Sequence, residues 1–280
     1  NTFYFKRTNG SIEIKLKNTY NNDDIDLPLS DNLLYLAMRT LFNKLEKKLK
    51  GVLIEKKVGI PFSRGLGSSA TAILAGLQGA NILLDYPFDD EQILDMAIEI
   101  EGHPDNVIPA WKGGFVINVI TGGKCIFKKF DINNDIKFVV AIPDFELSTE
   151  KLRRVLPDKT DYKNAVFNHS RTALLTASLY DGDLEKLAVA MEDKLHQDYR
   201  ADLIPGYQEV VRAAYQAGAA GVALSGAGPT VIAITRNDTT RIGHDMVKKF
   251  TQYNINSEYR VLQSDNRGLQ VIEDTDYFNK

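Results

Sequence analysis

Three clusters in this 280-residue chain carry residue types that do chemistry. The first is Gly65-Leu66-Gly67-Ser68-Ser69-Ala70, entered from Val58-Gly59-Ile60-Pro61 and followed by an apolar stretch from Thr71 to Leu84. Glycines let a backbone approach an anion closely. Ser68 and Ser69 fall where a helix's first unpaired N–H groups and the positive end of its dipole point outward. A polyphosphate fits such a cradle, and a hydroxyl there reaches the metal ion that a polyphosphate carries. On these six residues alone, a Ser-capped helix after a tight turn fits equally well. Walker A is excluded because no Gly-Lys-Ser/Thr follows. The Gly-x-Gly-x-x-Ala spacing matches a dinucleotide fingerprint with Asp85 as its acid, but Ala70 to Leu84 reads as one continuous helix and leaves no room for a second strand.

The second cluster, Glu99-Ile100-Glu101-Gly102-His103-Pro104-Asp105-Asn106, gathers carboxylates, an imidazole and an amide around a Gly and a Pro. Magnesium takes hard oxygen ligands, commonly one or two carboxylates beside substrate phosphates, so Glu99 with a serine of the glycine loop is a chemically sensible pair. A lone histidine without cysteines makes a poor zinc signature. A polar turn that ends a helix is the plain alternative. The third cluster is cationic: Thr149, Arg153 and Arg154, then Arg200 within Leu195-His196-Gln197-Asp198-Tyr199-Arg200. Arginine forks bind carboxylates bidentately, although any one of these also suits a solvated helix face.

The elements that must position these clusters follow from periodicity. Thr2 to Phe5 and Ile12 to Leu16 flank Asn9-Gly10, which predicts a hairpin. A helix is predicted from near Asp31, with Leu33, Leu34, Leu36, Ala37, Leu41, Phe42 and Leu45 at helical spacing. Lys44, Lys47, Lys48 and Lys50 favour its C-terminal dipole, and Gly51 stops it. The strand Val52 to Ile60 leads into the glycine loop, and Asp90 to Glu101 is helical. Beyond a polar turn at Asp131 to Asp135 come a strand at Phe138 to Ile142 and helices at Tyr162–Tyr180, Leu184–Leu195 and Tyr207–Ala217. Strands Gly221–Leu224 and Thr230–Thr235 are joined across Ser225-Gly226-Ala227-Gly228-Pro229, and a last helix and two strands follow. The mixed order predicts an α+β chain of two domains.

Composition narrows the function. Hydrophobic residues at 44%, charged residues at 25% and 9 prolines are ordinary globular usage. A formal charge of −3 provides no basic field for nucleic acid or an anionic membrane, so any anion is held locally. The single Cys125 forms no internal disulfide, and no run reaches the length of a membrane span, which predicts a cytoplasmic setting. The Asn-x-Ser/Thr triplets at Asn168 and Asn237 are read as chance.

In chain order, Pro61-Phe62-Ser63-Arg64-Gly65-Leu66-Gly67-Ser68-Ser69-Ala70, Glu101-Gly102-His103-Pro104-Asp105-Asn106-Val107 and Leu224-Ser225-Gly226-Ala227-Gly228-Pro229-Thr230 resemble the GHMP small-molecule kinases. The run from Pro109-Ala110 to Gly113-Gly114-Phe115, Glu146-Leu147-Ser148-Thr149 and His196 to Arg200 are similar to the branch that phosphorylates homoserine. The resemblance implies an ATP-binding domain over 1–134, of the ribosomal-S5-domain-2-like type with a left-handed βαβ crossover, and a ferredoxin-like domain over 135–280.

It also implies roles. Pro61, Ser63, Arg64, Gly65, Leu66, Gly67, Ser68 and Ser69 would wrap the ATP phosphates, with Asn32 near the adenine, and Ser69 and Glu99 would hold Mg²⁺. Arg153 and Arg200 would clamp the homoserine carboxylate, with Thr149 and Gly226 beside it. His103, Asp105 and Asn106 would face the amino alcohol and the transferring phosphoryl group, either with Asp105 as a candidate base or, by positioning and charge neutralisation, with Asn106 orienting the hydroxyl instead. Arg200 would count among the catalytic groups as well as the binding ones. The implied reaction turns ATP and L-homoserine into ADP and O-phosphohomoserine, with a homodimer as the possible assembly. The family's opening Pro-Ala-x-x-x-Asn-x-Gly-x-Gly-Phe-Asp stretch has no counterpart from Asn1 onward, which implies a truncated chain or an incomplete amino-group side of the pocket. A mevalonate- or sugar-type kinase and a non-catalytic ATP-binding relative are the alternatives.

Overall fold

The computed structural model describes residues 1–18, 24–25, 28–48, 51–147, 149–274 and 277. They form two compact units. The first comprises Asn1–Phe62, Gly67–Lys129 and Arg267–Lys280, and the second Ser63–Leu66 and Phe130–Asn266.

The first unit runs β1 (Thr2–Arg7), β2 (Glu13–Asn18), β3 (Asp24–Ile25), α1 (Leu33–Lys44), β4 (Val52–Val58), α2 (Ser68–Leu83), α3 (Asp90–Glu101), α4 (Pro104–Lys112), β5 (Phe115–Thr121) and β6 (Lys124–Phe130). Its larger sheet has the order β1-β4-β2-β3, with β4 antiparallel to β1 and parallel to β2. The hairpin expected at Asn9-Gly10 is therefore not formed: the chain does turn there, but β4 lies between the two strands. The connection crosses the start of β4 at Gly51, where an added Cβ would lie 2.2 Å from the Gly10 carbonyl oxygen. Gly51 is thus a crossing point for this connection, while α1 already ends at Lys44; Lys50 lies outside the described residues.

Helix α1 forms because Leu34, Ala37, Met38, Leu41 and Phe42 recur at 3, 4, 7 and 8 residues and are all buried, and because Asn32 caps it. Helix α2 is apolar on nearly every side and runs through the middle of the core, with Gly76 letting the α1 backbone approach at Leu34. Helix α3 opens on a capping box, Asp89 with Gln92, and closes on Gly102 in the left-handed region at φ 86°. Only one residue, His103, then precedes Pro104 at the start of α4, so the expected polar turn is mostly helix. Strands β5 and β6, not foreseen from sequence, pair across Gly122-Gly123, both at positive φ.

The second unit runs β7 (Lys137–Pro143), α5 (Thr149–Arg154), α6 (Tyr162–Asp181), α7 (Leu187–Ala190), α8 (Gln197–Ala201), α9 (Tyr207–Gln216), β8 (Gly221–Leu224), β9 (Val231–Thr235), α10 (Thr239–Gln252) and β10 (Ser257–Leu262). Its sheet order, β10-β7-β9-β8, is antiparallel throughout, the split β-α-β-β-α-β arrangement expected of a ferredoxin-like domain. Two expectations fail. One strand, not two, follows α10 among the described residues. The helix expected over Leu184–Leu195 is reduced to a 3₁₀ turn and the single turn α7. The Asp193 carboxylate takes the N–H groups of Leu195, His196 and Gln197, at 3.1, 2.7 and 2.7 Å, stopping one helix and starting the next. Burial alone would raise the Asp193 pKa. The N–H groups of Gln197 and His196 and the Asn168 amide outweigh burial and hold it below its ordinary value.

Candidate active site

In the first unit, α2 is preceded by Gly67 as its N-cap, in the left-handed region at φ 73°, with no side chain capping the helix. Its first N–H groups therefore remain available to an anion, as the glycine-loop pattern requires. Ser68 is buried and its hydroxyl donates to the Ile60 carbonyl at 3.4 Å, so it anchors the strand-to-loop passage. Ser69, one residue on, donates to Glu101 Oε1 at 2.6 Å. This corrects the pairing with Glu99, which is exposed on α3. Residues two apart on a helix point roughly 200° apart. The sequence held the signal: Ile93, Ala97 and Glu101 recur at intervals of four, and Ile93 and Ala97 are wholly buried. The Ser69 hydroxyl and Glu101 carboxylate are hard oxygens of the kind Mg²⁺ selects.

Beside the start of α2 stand the residues of the α3–α4 junction. An added Cβ at Gly67 would lie 3.8 Å from Asn106 Oδ1, so the Asn106 carboxamide faces the start of α2. Asp105 is bonded to His103 Nδ1 and is largely exposed in the first turn of α4. Asn32 is buried, and its side-chain oxygen accepts from the N–H groups of Leu34 and Tyr35 at 3.1 and 3.4 Å, so that atom serves as the cap of α1. Pro61 and Phe62 precede the loop, and Lys56 of β4, 3% exposed, lies 4.8 Å from the Phe62 ring centroid and 5.2 Å from that of Phe3. Burial pulls the Lys56 amine down to about 8.

In the second unit, Ser63, Arg64, Gly65 and Leu66 form the tip of the glycine loop. Gly65 fits only as glycine, because an added Cβ would sit 2.2 Å from the Ser225 carbonyl oxygen, and its φ is +74°. The Ser225 hydroxyl donates to the Gly65 carbonyl at 2.7 Å, and the Gly228 N–H closes a tight turn on the Ser225 carbonyl at 2.9 Å. Arg64 reaches Asp144 at 3.7 Å and Glu146 at 3.5 Å.

Arg200 is half-buried. Its Nε donates to the Leu152 carbonyl at 3.1 Å, and its Nη1 lies 3.3 Å from both the Gly226 carbonyl oxygen and His196 Nδ1. Burial and then the nearby Arg153 charge lower its pKa, against the pull of Asp193. Arg153 is exposed on α5, and the side chain of Thr149, like Ser148, lies outside the described residues. Sequence reasoning missed Gln197, which fixes α8: its side-chain oxygen accepts from Tyr207 Oη at 2.8 Å and from the Leu224 N–H at 2.9 Å. A glutamine inside a polar motif gives no sign of burial until its partners are known.

Comparison with known proteins identifies the family. The GHMP kinases N terminal domain matches residues 32–114, and the GHMP kinases C terminal domain matches residues 175–251. A homoserine kinase of Halothermothrix orenii is 53% identical over 96% of this chain and 87% of its own length. One of Clostridium beijerinckii is 46% identical over 88% of this chain and 83% of its own. The crystal structure of homoserine kinase from Cytophaga hutchinsonii superposes with a TM-score of 0.82 at 28% identity, covering 96% of this chain and 87% of that one. With both family domains matched in order and relatives this similar along most of its length, the chain belongs to the GHMP kinases, in the homoserine kinase branch.

Proposed function

We propose that this chain transfers the terminal phosphoryl group of Mg²⁺-ATP to the side-chain hydroxyl of L-homoserine. The observation that carries the reading is the uncapped N-terminus of α2 with Ser69 bonded to Glu101, in a chain 53% identical to a homoserine kinase. The N–H groups at that terminus bind the phosphates, and Ser69 and Glu101 hold the metal ion, which when bound neutralises charge on the phosphates. Asn106 orients the acceptor hydroxyl, and Asp105, steadied by His103, receives its proton. Arg200 and Arg153 take the homoserine carboxylate, with Thr149 and Gly226 alongside, and Asn32 borders the adenine. Phosphoryl transfer passes through a loose transition state, so positioning and charge neutralisation supply most of the acceleration.

A cytoplasmic setting, consistent with the lone Cys125, and a homodimer belong to the same reading; sedimentation of the full-length protein tests the dimer. The function is tested by offering purified full-length protein Mg²⁺-ATP with homoserine, mevalonate or a hexose. Phosphorylation of homoserine alone is expected, and turnover of mevalonate without homoserine overturns the assignment.

A further inference from the structure

Arg64 lies in a loop whose family role is to wrap phosphates, yet its guanidinium is already engaged. Its side chain is 13% exposed, while Asp144 and Glu146, the carboxylates it faces, are 74% and 67% exposed. Both acids belong to the segment between β7 and α5. Buried Leu147 and Leu152 seat that segment in the core of the second unit, and Glu146 stands three residues before Thr149. The backbone of the same loop tip is seated independently, through Ser225 Oγ on the Gly65 carbonyl at 2.7 Å. The next residue, Gly226, accepts from Arg200 at 3.3 Å. Arg200 also bonds the carbonyl of Leu152 in α5 at 3.1 Å. Two routes therefore leave the loop tip, one through Arg64 and the acids to α5, the other through Ser225 and Gly226 to Arg200, and both end on the groups proposed to hold the homoserine carboxylate.

We infer that Arg64 is a positioning residue that ties the tip of the glycine loop to the acceptor-binding segment, so that nucleotide and homoserine strengthen each other's binding. The inference rests on the carboxylate reading of Arg153 and Arg200. A loop already ordered by nucleotide holds Asp144 and Glu146 in place, and with them the start of α5. By linkage, homoserine then tightens nucleotide binding by the same factor. If Arg64 were instead a phosphate ligand, nucleotide would pull it from the acids and release the segment, giving coupling near unity or of opposite sign.

Calorimetry of a non-hydrolysable Mg²⁺-ATP analogue, with and without homoserine, on the full-length protein decides between these. Homoserine is expected to tighten the analogue about fivefold in the parent protein, and less than twofold in Asp144→Asn/Glu146→Gln. These acids are exposed, so the variant keeps its fold, and Glu146→Gln alone is expected to lose part of the coupling. Adding Arg64→Gln to the double variant is expected to cost no further coupling. Absent or negative coupling in the parent, coupling retained in the double variant, or a further loss on adding Arg64→Gln would each overturn the inference. Arg200→Ala, run in parallel, separates the underlying reading. Homoserine affinity is expected to fall more than tenfold, and an unchanged value overturns the carboxylate clamp whatever the acid variants show.

Discussion

A hydroxyl and a carboxylate 2.6 Å apart, Ser69 and Glu101, are the smallest unit on which the proposed chemistry rests. Glu101 sits in the last turn of α3, where Gly102 ends the helix, so its carboxylate is held by a stop signal as well as by the buried face it shares with Ile93 and Ala97. Glu101→Gln should lower kcat by about 10- to 100-fold and raise the Mg²⁺ concentration needed for half-maximal rate, whereas Glu99→Gln should change both by less than about twofold. Initial rates across a Mg²⁺ titration at fixed ATP measure this. Much of the site's chemistry was legible at this scale, because glycines, serines and the His-Pro-Asp-Asn run declare their types. Residue types alone do not say which of Glu99 and Glu101 faces Ser69; that follows from the turn of the helix, which sets the two about 200° apart.

Among the elements, α8 and β4 show how buried polar groups position the site. Gln197 holds α8 against Tyr207 and β8, and three residues on the same helix presents Arg200. Gln197→Leu leaves the Tyr207 hydroxyl and the Leu224 N–H without their acceptor. A loss of about 2 kcal/mol in urea unfolding is expected, with a raised homoserine KM and an unchanged ATP KM. In β4, Lys56 occupies an inward position between Val52, Ile54 and Val58, all buried. Its amine is pulled down to about 8, below the usual 10.5, so between those values the unfolded chain binds more protons and stability rises with pH. Lys56→Met should therefore stabilise the protein at pH 7, by up to about 3 kcal/mol, with the gain disappearing near pH 10.5. Urea midpoints at pH 7 and pH 10 check the sign. Strand identity was readable from alternation, but partnership was not: Asn9-Gly10 specifies a turn locally, while the insertion of β4 between β1 and β2 depends on residues some forty positions away.

Across the whole molecule, the motifs lie in the order the family requires, and the antiparallel sheet of the second unit follows from strands and helices that periodicity had marked. The return of the chain to the first unit was not legible, because residues 263–274 carry neither helical nor strand periodicity. There, Gly268 packs against the end of α4, where an added Cβ would lie 2.3 Å from the Trp111 carbonyl oxygen, and the Leu269 N–H donates to that same oxygen at 3.0 Å. Tyr277 stacks on Tyr4 with centroids 3.3 Å apart and bonds Glu55 at 3.2 Å. Gly268→Val combines this clash with a φ of +76° and should cost the first unit about 2–4 kcal/mol, read as an earlier unfolding of its tryptophan signal, Trp111 being the chain's single tryptophan. The same return sets an order on the ribosome. Apart from the four residues of the loop tip, the second unit is one continuous stretch, Phe130–Asn266, that can fold as soon as it emerges. The first unit, although its strands are made earliest, must wait until Gly268 and Leu269 clear the exit tunnel. The half of the protein synthesised first is thus the half completed last, and a nascent chain arrested just short of that point would carry a folded second unit and an unfinished first one.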